Sequence, residues 1–268
     1  MLLEFENVTK SYGKTRALDR LSFGVERDEI VALLGPNGAG KTTALEIALG
    51  LRGAAAGTVR LLGGSPRRVA VRRRIGATPQ ESGFPDMLRV DEIAAFVAAH
   101  YPRPLPVSEA LARFGLADLA KRRAGTLSMG QSRRLAVTLA FIGNPELVVL
   151  DEPTTGLDVE SRRKLWKVVR ELGSGRSMLF TTHYLEEAQA LATRILVIER
   201  GQLLFDGDPQ SLRGRVGARK LTYVGKDGPV CVTTDDTDAY VRTMVATGVH
   251  FSGLEITQPS LEEAFLSL

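Results

Sequence analysis

Apolar residues alternate at Leu3, Phe5 and Val8, the spacing of a strand with one buried face, which predicts a first edge strand. Ala17–Val25 predicts a second. Ile30–Leu34 is apolar without a break, as a strand covered on both faces requires. Gly57–Leu62 and Ile75–Pro79 predict further strands, the latter ending in a loop at Gln80. Helical patterns follow over Val90–His100, Pro106–Gly115 and the segment after Ser128, where Leu135, Leu139 and Ile142 recur at i, i+4, i+7. Strand-like runs return at Leu147–Leu150, Ser177–Thr181 and Arg194–Ile198, separated by helix patterns at 159–172 and 184–192. Such alternation predicts an α/β fold, with helices on both faces of a sheet and the ligand beyond the carboxyl ends of its strands.

Near Gly214–Gly217 the composition shifts, and the remainder reads as a small appendage. It has strands near Lys220–Val224 and Val230–Thr233, a helix around Asp236–Thr247 and a final strand. Ser260 and Glu263 have the spacing of a capping box for a last helix.

At 268 residues, with 25% charged and 44% hydrophobic side chains, the chain has the composition of a soluble globular protein. Apolar stretches such as Ile93–Ala99 are too short to span a bilayer, and the N-terminus lacks the basic start and apolar block of a signal peptide. Cys231 is the only cysteine, so no internal disulfide forms and a cytosolic placement is expected. The net charge of +4 divides into −3 over residues 216–268 and +7 before them. Arginines cluster at Arg67-Arg68, Arg72–Arg74, Lys121–Arg123 and Arg133-Arg134. Solvated helix faces account for most of these, and no aromatics interleave with them as a single-strand binder would need.

The richest segment is Gly35-Pro36-Asn37-Gly38-Ala39-Gly40-Lys41-Thr42-Thr43, set between the buried strand and a helix-like stretch. Glycines let backbone N–H groups turn inward around an anion, and the helix N-terminus adds partial positive charge. This is the context of a phosphate-binding loop, in which Lys41 bridges the β- and γ-phosphates and the Thr42 hydroxyl ligates Mg²⁺. An ordinary glycine turn is the bland alternative, and the strand before it argues against that. Leu147–Leu150 then leads into Asp151 and Glu152, which can present one carboxylate to Mg²⁺ and the other to an attacking water. Ser128 and Gln131 have capping-box spacing, so a structural helix start and a phosphate-holding N-terminus both remain open for Leu127–Gln131.

Taken in order, Gly35–Thr43, Gln80, Leu127–Gln131, Leu147–Glu152, Gly156-Leu157-Asp158 and His183 resemble the motifs of the ATP-binding cassette ATPases. In that family's terms they are the Walker A loop, Q-loop, signature motif, Walker B strand, D-loop and H-loop. The resemblance covers residues 2 to about 213. It implies a P-loop nucleotide-binding domain over 1–213: a mixed sheet core, a helical subdomain at about 85–145 and an antiparallel edge sheet. Residues 214–268 are left as a small α+β C-terminal appendage.

The family resemblance further implies a head-to-tail pair that sandwiches two ATP molecules. Lys41 and the backbone of Asn37–Thr43 grip the phosphates, with Thr42, Gln80 and Asp151 around Mg²⁺. Ser128, Gly130 and Gln131 of the opposite subunit face the γ-phosphate, and Asp158 crosses the interface. Glu152 resembles the catalytic base and His183 the residue holding the γ-phosphate and water in line. Tyr12 resembles the aromatic that stacks on adenine.

Two positions depart from the family pattern. Met129 stands where the usual signature has glycine, and the turn Arg27-Asp28-Glu29 has Asp28 where many relatives have glycine. Aspartate tolerates left-handed geometry, so that turn is expected to persist.

Family members of this size power membrane transporters whose permeases are separate chains. The ending Gln258–Leu266 is similar to the tail of cassettes serving ABC-2-type drug and antibiotic exporters, so integral membrane permease subunits and a second copy are the expected partners. The implied location is cytoplasmic, at the inner face of the cell membrane, with no nucleic acid partner. An importer ATPase, a soluble cassette acting on nucleic acid or ribosomes, and a P-loop kinase or GTPase are the alternatives. Lys41→Ala should weaken ATP binding about tenfold or more, the worth of a charge-assisted contact. Calorimetric titration measures this, and unchanged affinity would overturn the assignment of the loop.

Overall fold

The computed structural model describes residues 1–78, 83–173, 175–214, 219–258 and 260–266. They divide into two compact units, Met1–Asp206 and Gly207–Leu268.

The first unit opens with β1 (Leu3–Tyr12) and β2 (Thr15–Val25), an antiparallel hairpin turning at Gly13. The buried strand β3 (Ile30–Leu34) runs into α1 (Lys41–Ala48), and β4 (Ala56–Leu61) returns to pair with β1. β1 is therefore the centre of a β2-β1-β4 sheet and not an edge strand. Its Leu3, Phe5 and Val8 are buried, and Phe5 stacks on Phe23 at 4.5 Å.

After α2 (Val69–Arg72) come β5 (Ile75–Thr78) and three helices, α3 (Val90–Ala98), α4 (Val107–Arg113) and α5 (Met129–Ile142). A Cβ on Gly76 would lie 1.7 Å from the Ala140 carbonyl oxygen, so β5 and α5 meet backbone to backbone. The chain continues through β6 (Leu147–Asp151), α6 (Val159–Gly173), β7 (Ser177–Thr181), α7 (Leu185–Leu191), β8 (Arg194–Glu199) and β9 (Gln202–Gly207).

The main sheet has the order β5-β6-β7-β3-β8-β9 among the described residues. From β5 to β8 the pairing is parallel. β3, β6 and β7 are buried at every position, as strands covered on both faces must be. The carboxyl ends of β3 and β6 thus open on the same side, at Gly35 and Asp151.

The second unit comprises α8 (Pro209–Gly214), β10 (Arg219–Gly225), β11 (Gly228–Thr234), α9 (Thr237–Ala246), β12 (Ser252–Thr257) and α10 (Leu261–Leu266). Its antiparallel sheet, β11-β10-β12, packs Leu221 and Tyr223 against Met244 of α9. Ser260 and Glu263 make the reciprocal bonds that start α10.

One ionisable group is sealed inside the first unit. Glu187 of α7 has no exposed surface and accepts a hydrogen bond from Trp166 Nε1 at 2.9 Å. Burial pushes its carboxyl above the usual range, while Thr182, Trp166, Thr154 and the Arg162 charge draw it back. A carboxyl raised in the folded state binds its proton more tightly there than in the unfolded chain. Its contribution is fully present below the unfolded pKa and is lost as pH rises through the folded one. Compared with Glu187→Gln, which never ionises, the wild type should lose stability as pH rises above the ordinary glutamate range. Urea unfolding across that rise measures the gap, and a gap independent of pH would contradict it.

Candidate nucleotide-binding site

Two glycines of the loop are dictated by backbone contact. A Cβ on Gly35 would sit 2.2 Å from the Ile198 carbonyl oxygen, and one on Gly40 2.4 Å from that of Ala17. Gly40 also caps α1 at φ 107°, and α1 carries no acidic residue in its first turn to cancel the helix dipole. Lys41 is nearly buried and donates from Nζ to the carbonyls of Gly35 (2.7 Å) and Pro36 (3.1 Å), so its ammonium lies against the loop it serves. Burial lowers its pKa, opposed by the charges of Glu152 and Asp151. A cleft of about 400 Å³ is lined by Tyr12, Ala17, Asn37, Gly38, Ala39, Gly40, Lys41, Thr42, Thr43 and Glu152. Tyr12 is half exposed at the end of β1, and the Lys10 and Arg52 cations each lie 5.5 Å from its ring centre.

The carboxylates gather around one hydroxyl. Thr181 Oγ1 donates to Asp151 Oδ1 at 2.5 Å and accepts the Glu152 backbone N–H at 2.9 Å. Parallel pairing sets this up, because Asp151 and Thr181 are in register across β6 and β7. Burial raises the Asp151 pKa, while hydrogen bonds from Thr181 and Thr42 lower it. Glu152 stands at φ 47°, a left-handed conformation that turns its side chain out of the strand direction. Thr155 Oγ1 donates to Glu152 Oε2 at 2.9 Å, and His183 Nδ1 lies 3.4 Å from Glu152 Oε1. The His183 ring packs on Tyr184 at 4.0 Å, and Arg162 covers the other ring at 3.8 Å.

Lys41, Thr42, Asp151, Glu152 and His183 are thus drawn into one constellation. The Thr42 hydroxyl bonded to a buried Asp151 is a pair of hard oxygen donors, and Mg²⁺ asks for no more from protein when phosphates and water complete its shell. Gln80 lies outside the described residues.

The signature segment sits apart, since none of Ser128, Gly130, Gln131 and Asp158 lines the phosphate cleft. Ser128 Oγ accepts the Gln131 N–H at 3.2 Å, and Gln131 Oε1 accepts the Ser128 N–H at 2.9 Å. This is a capping box, and it leaves Met129 as the first residue of α5 with negative φ. Methionine therefore fits where relatives have glycine, because no left-handed backbone is needed there. Its side chain is 74% exposed, and a Cβ on Gly156 (φ 80°) would lie 2.7 Å from Met129 Sδ. Asp158 caps α6 through Ser161 N–H (2.8 Å) and Oγ (2.7 Å), which hold its carboxyl below the usual range.

Sequence reasoning passed over three residues at this site. Thr181 and Thr155 fasten the carboxylates, and neither belongs to a recognisable motif. Arg133, grouped above with solvated arginines, is only 7% exposed. Its guanidinium donates to the carbonyls of Asp151, Glu152 and Pro153, the last at 3.1 Å from Nε. The signal was present: Arg133 shares its helical stripe with buried Val137 and Ala140, at i, i+4, i+7.

The ABC transporter family profile matches residues 18–155. Nod factor export ATP-binding protein I of Paraburkholderia xenovorans is 37% identical over 96% of this chain and 87% of its own length. Daunorubicin resistance ATP-binding protein DrrA3 of Streptomyces coeruleorubidus is 33% identical over 98% of this chain and 94% of its own. Among solved structures, an ATP-binding subunit of an ABC transporter superposes with TM-score 0.73 at 26% identity, over 81% of this chain and 94% of that one. The dimeric cassette MJ0796, in a post-hydrolysis state bound to ADP and Pi, has TM-score 0.70 at 24% identity, over 77% of this chain and 98% of its own, and supports the fold. Similarity that runs nearly end to end, over a cleft with a phosphate loop and a paired aspartate and glutamate, makes this chain an ATP-hydrolysing member of the ABC transporter family.

Proposed function

We propose that this chain energises export through separate membrane permease subunits, hydrolysing ATP at an interface with a second copy of itself. One observation carries the pairing: the signature residues Ser128 and Gly130 lie outside the cleft formed by the chain's own phosphate loop. They reach a γ-phosphate only when a second cassette presents them. The export assignment is supported by relatives named for Nod factor export and daunorubicin resistance. No helix among the described residues is long and apolar enough to cross a membrane, which is compatible with a permease on another chain and a place at the inner membrane face.

In this reading the Tyr12 ring stacks on adenine, and the amides of Asn37–Thr43 with Lys41 Nζ hold the β- and γ-phosphates. Lys41 exchanges its bonds to Gly35 and Pro36 for phosphate oxygens. Thr42, Asp151 and Gln80 would hold Mg²⁺, which would neutralise charge on the phosphates. Glu152, steadied by Thr155, takes the proton of a water whose oxygen attacks the γ-phosphorus in line, while the bond to the bridging oxygen breaks and leaves ADP and Pi. His183, beside Glu152 Oε1, orients the γ-phosphate and that water. Loss of the γ-phosphate removes what both subunits hold, so the pair loosens.

Glu152→Gln should bind ATP, hydrolyse it about 100-fold more slowly or worse, and form a dimer in Mg-ATP that wild type forms only transiently. Light scattering after size exclusion reads the outcome, and a monomer in saturating Mg-ATP would refute the homodimer. Copurification from detergent-solubilised membranes tests the rest. A stoichiometric polytopic membrane protein is expected, and recovery of soluble partners or ribosomes alone would remove export from the assignment.

A further inference from the structure

Arg133 joins two places that the proposed dimer separates. It lies five residues beyond Ser128 on α5, whose first turn is the part offered to the partner's nucleotide. Its guanidinium reaches back into its own subunit and donates to the consecutive carbonyls of Asp151, Glu152 and Pro153. Those residues form the turn in which Glu152 takes its left-handed backbone, φ 47°. We propose that Arg133 is a positioning residue that fixes this turn and so relays the docking of one subunit's signature helix to Glu152 at the other composite site. The relay rests on the head-to-tail reading above; the hold on the Glu152 turn does not.

The physical basis is the rigidity of the link. Ser128 and Gln131 lock the start of α5, and between them and Arg133 the chain is unbroken helix. The planar guanidinium offers donors in fixed directions, so three carbonyls in a row define both the position and the tilt of the turn. Arg133 is buried, which lowers its pKa, and the charges of Asp151, Glu152 and Glu187 oppose that. A shift of α5 when a γ-phosphate binds at Ser128 has few ways to dissipate before it moves the Glu152 carbonyl. Misplacing a reacting group by ~1 Å costs about 100-fold in rate, so a small displacement of this turn suffices to switch the base in or out of place.

Arg133→Lys keeps the charge and loses the fork, and Arg133→Gln keeps two donors without charge. Thermal unfolding first establishes which variants fold, and steady-state ATPase assays follow. In a folded Arg133→Lys protein, kcat should fall at least about tenfold, with the KM for ATP within about twofold of wild type. The Hill coefficient for ATP, which the head-to-tail reading puts above one in the wild type, should drop to about 1. Arg133→Gln should behave the same way, with the larger loss of kcat. Unchanged kcat in a folded variant would overturn the positioning role, and a fallen kcat with the wild-type Hill coefficient would overturn the relay. Should neither variant fold, Arg133 is a folding residue and the proposal fails. Dimerisation of Glu152→Gln in Mg-ATP reports separately on the head-to-tail reading, so the two failures are told apart.

Discussion

The site depends on a hydroxyl shared between two strands. Thr181 Oγ1 gives its proton to Asp151 and receives the Glu152 N–H, so one oxygen fixes the end of β6 laterally and sets where Glu152 leaves the strand. Both bonds exist because β6 and β7 run parallel and in register. A slip of one residue would turn every side chain of β7 to the opposite face and place Phe180 beside the carboxylates. Both strands are buried at every position, so this hydroxyl and its two bonds lie at the edge of the core.

Where function needed local geometry, the sequence was readable. The phosphate loop, the Asp151-Glu152 pair and the box at Ser128 are each defined within nine residues or fewer, and each sits at an element boundary that hydrophobic periodicity marks. Asp28 was expected to keep a turn where many relatives have glycine, and it stands at φ 61°. What needed long-range pairing was not readable. β1 reads as an edge strand because nothing in its alternation reveals that β4, more than forty residues later, takes its second side. Thr181 carries no motif, and its importance comes from a register set between strands about 30 residues apart.

Arg133 and Met129 each gain from the structure what their residue type did not reveal. Composition grouped Arg133 with solvent-facing charge, yet its length lets it cross from α5 to the end of β6 and donate to the carbonyls there. Family comparison flagged Met129 as a departure, yet the first turn of a helix accepts any side chain whose backbone is right-handed. What methionine adds there is bulk: its sulfur rests against Gly156, so the signature and D-loop segments touch within one chain. Gly156 itself stands at φ 80°, a left-handed conformation that favours glycine whatever its neighbour.

The buried bond between Trp166 and Glu187 has an optical consequence. Trp166 is the single tryptophan of the chain, so all indole emission comes from one ring whose N–H is tied to a carboxylate on α7. Thr154 and Thr182, which also act on that carboxylate, lie in the segments leading to Asp158 and His183. The protein thus carries its own unlabelled fluorophore beside the segments that lead to Asp158 and His183, and any rearrangement there that alters the indole's hydrogen bond should appear as a spectral shift.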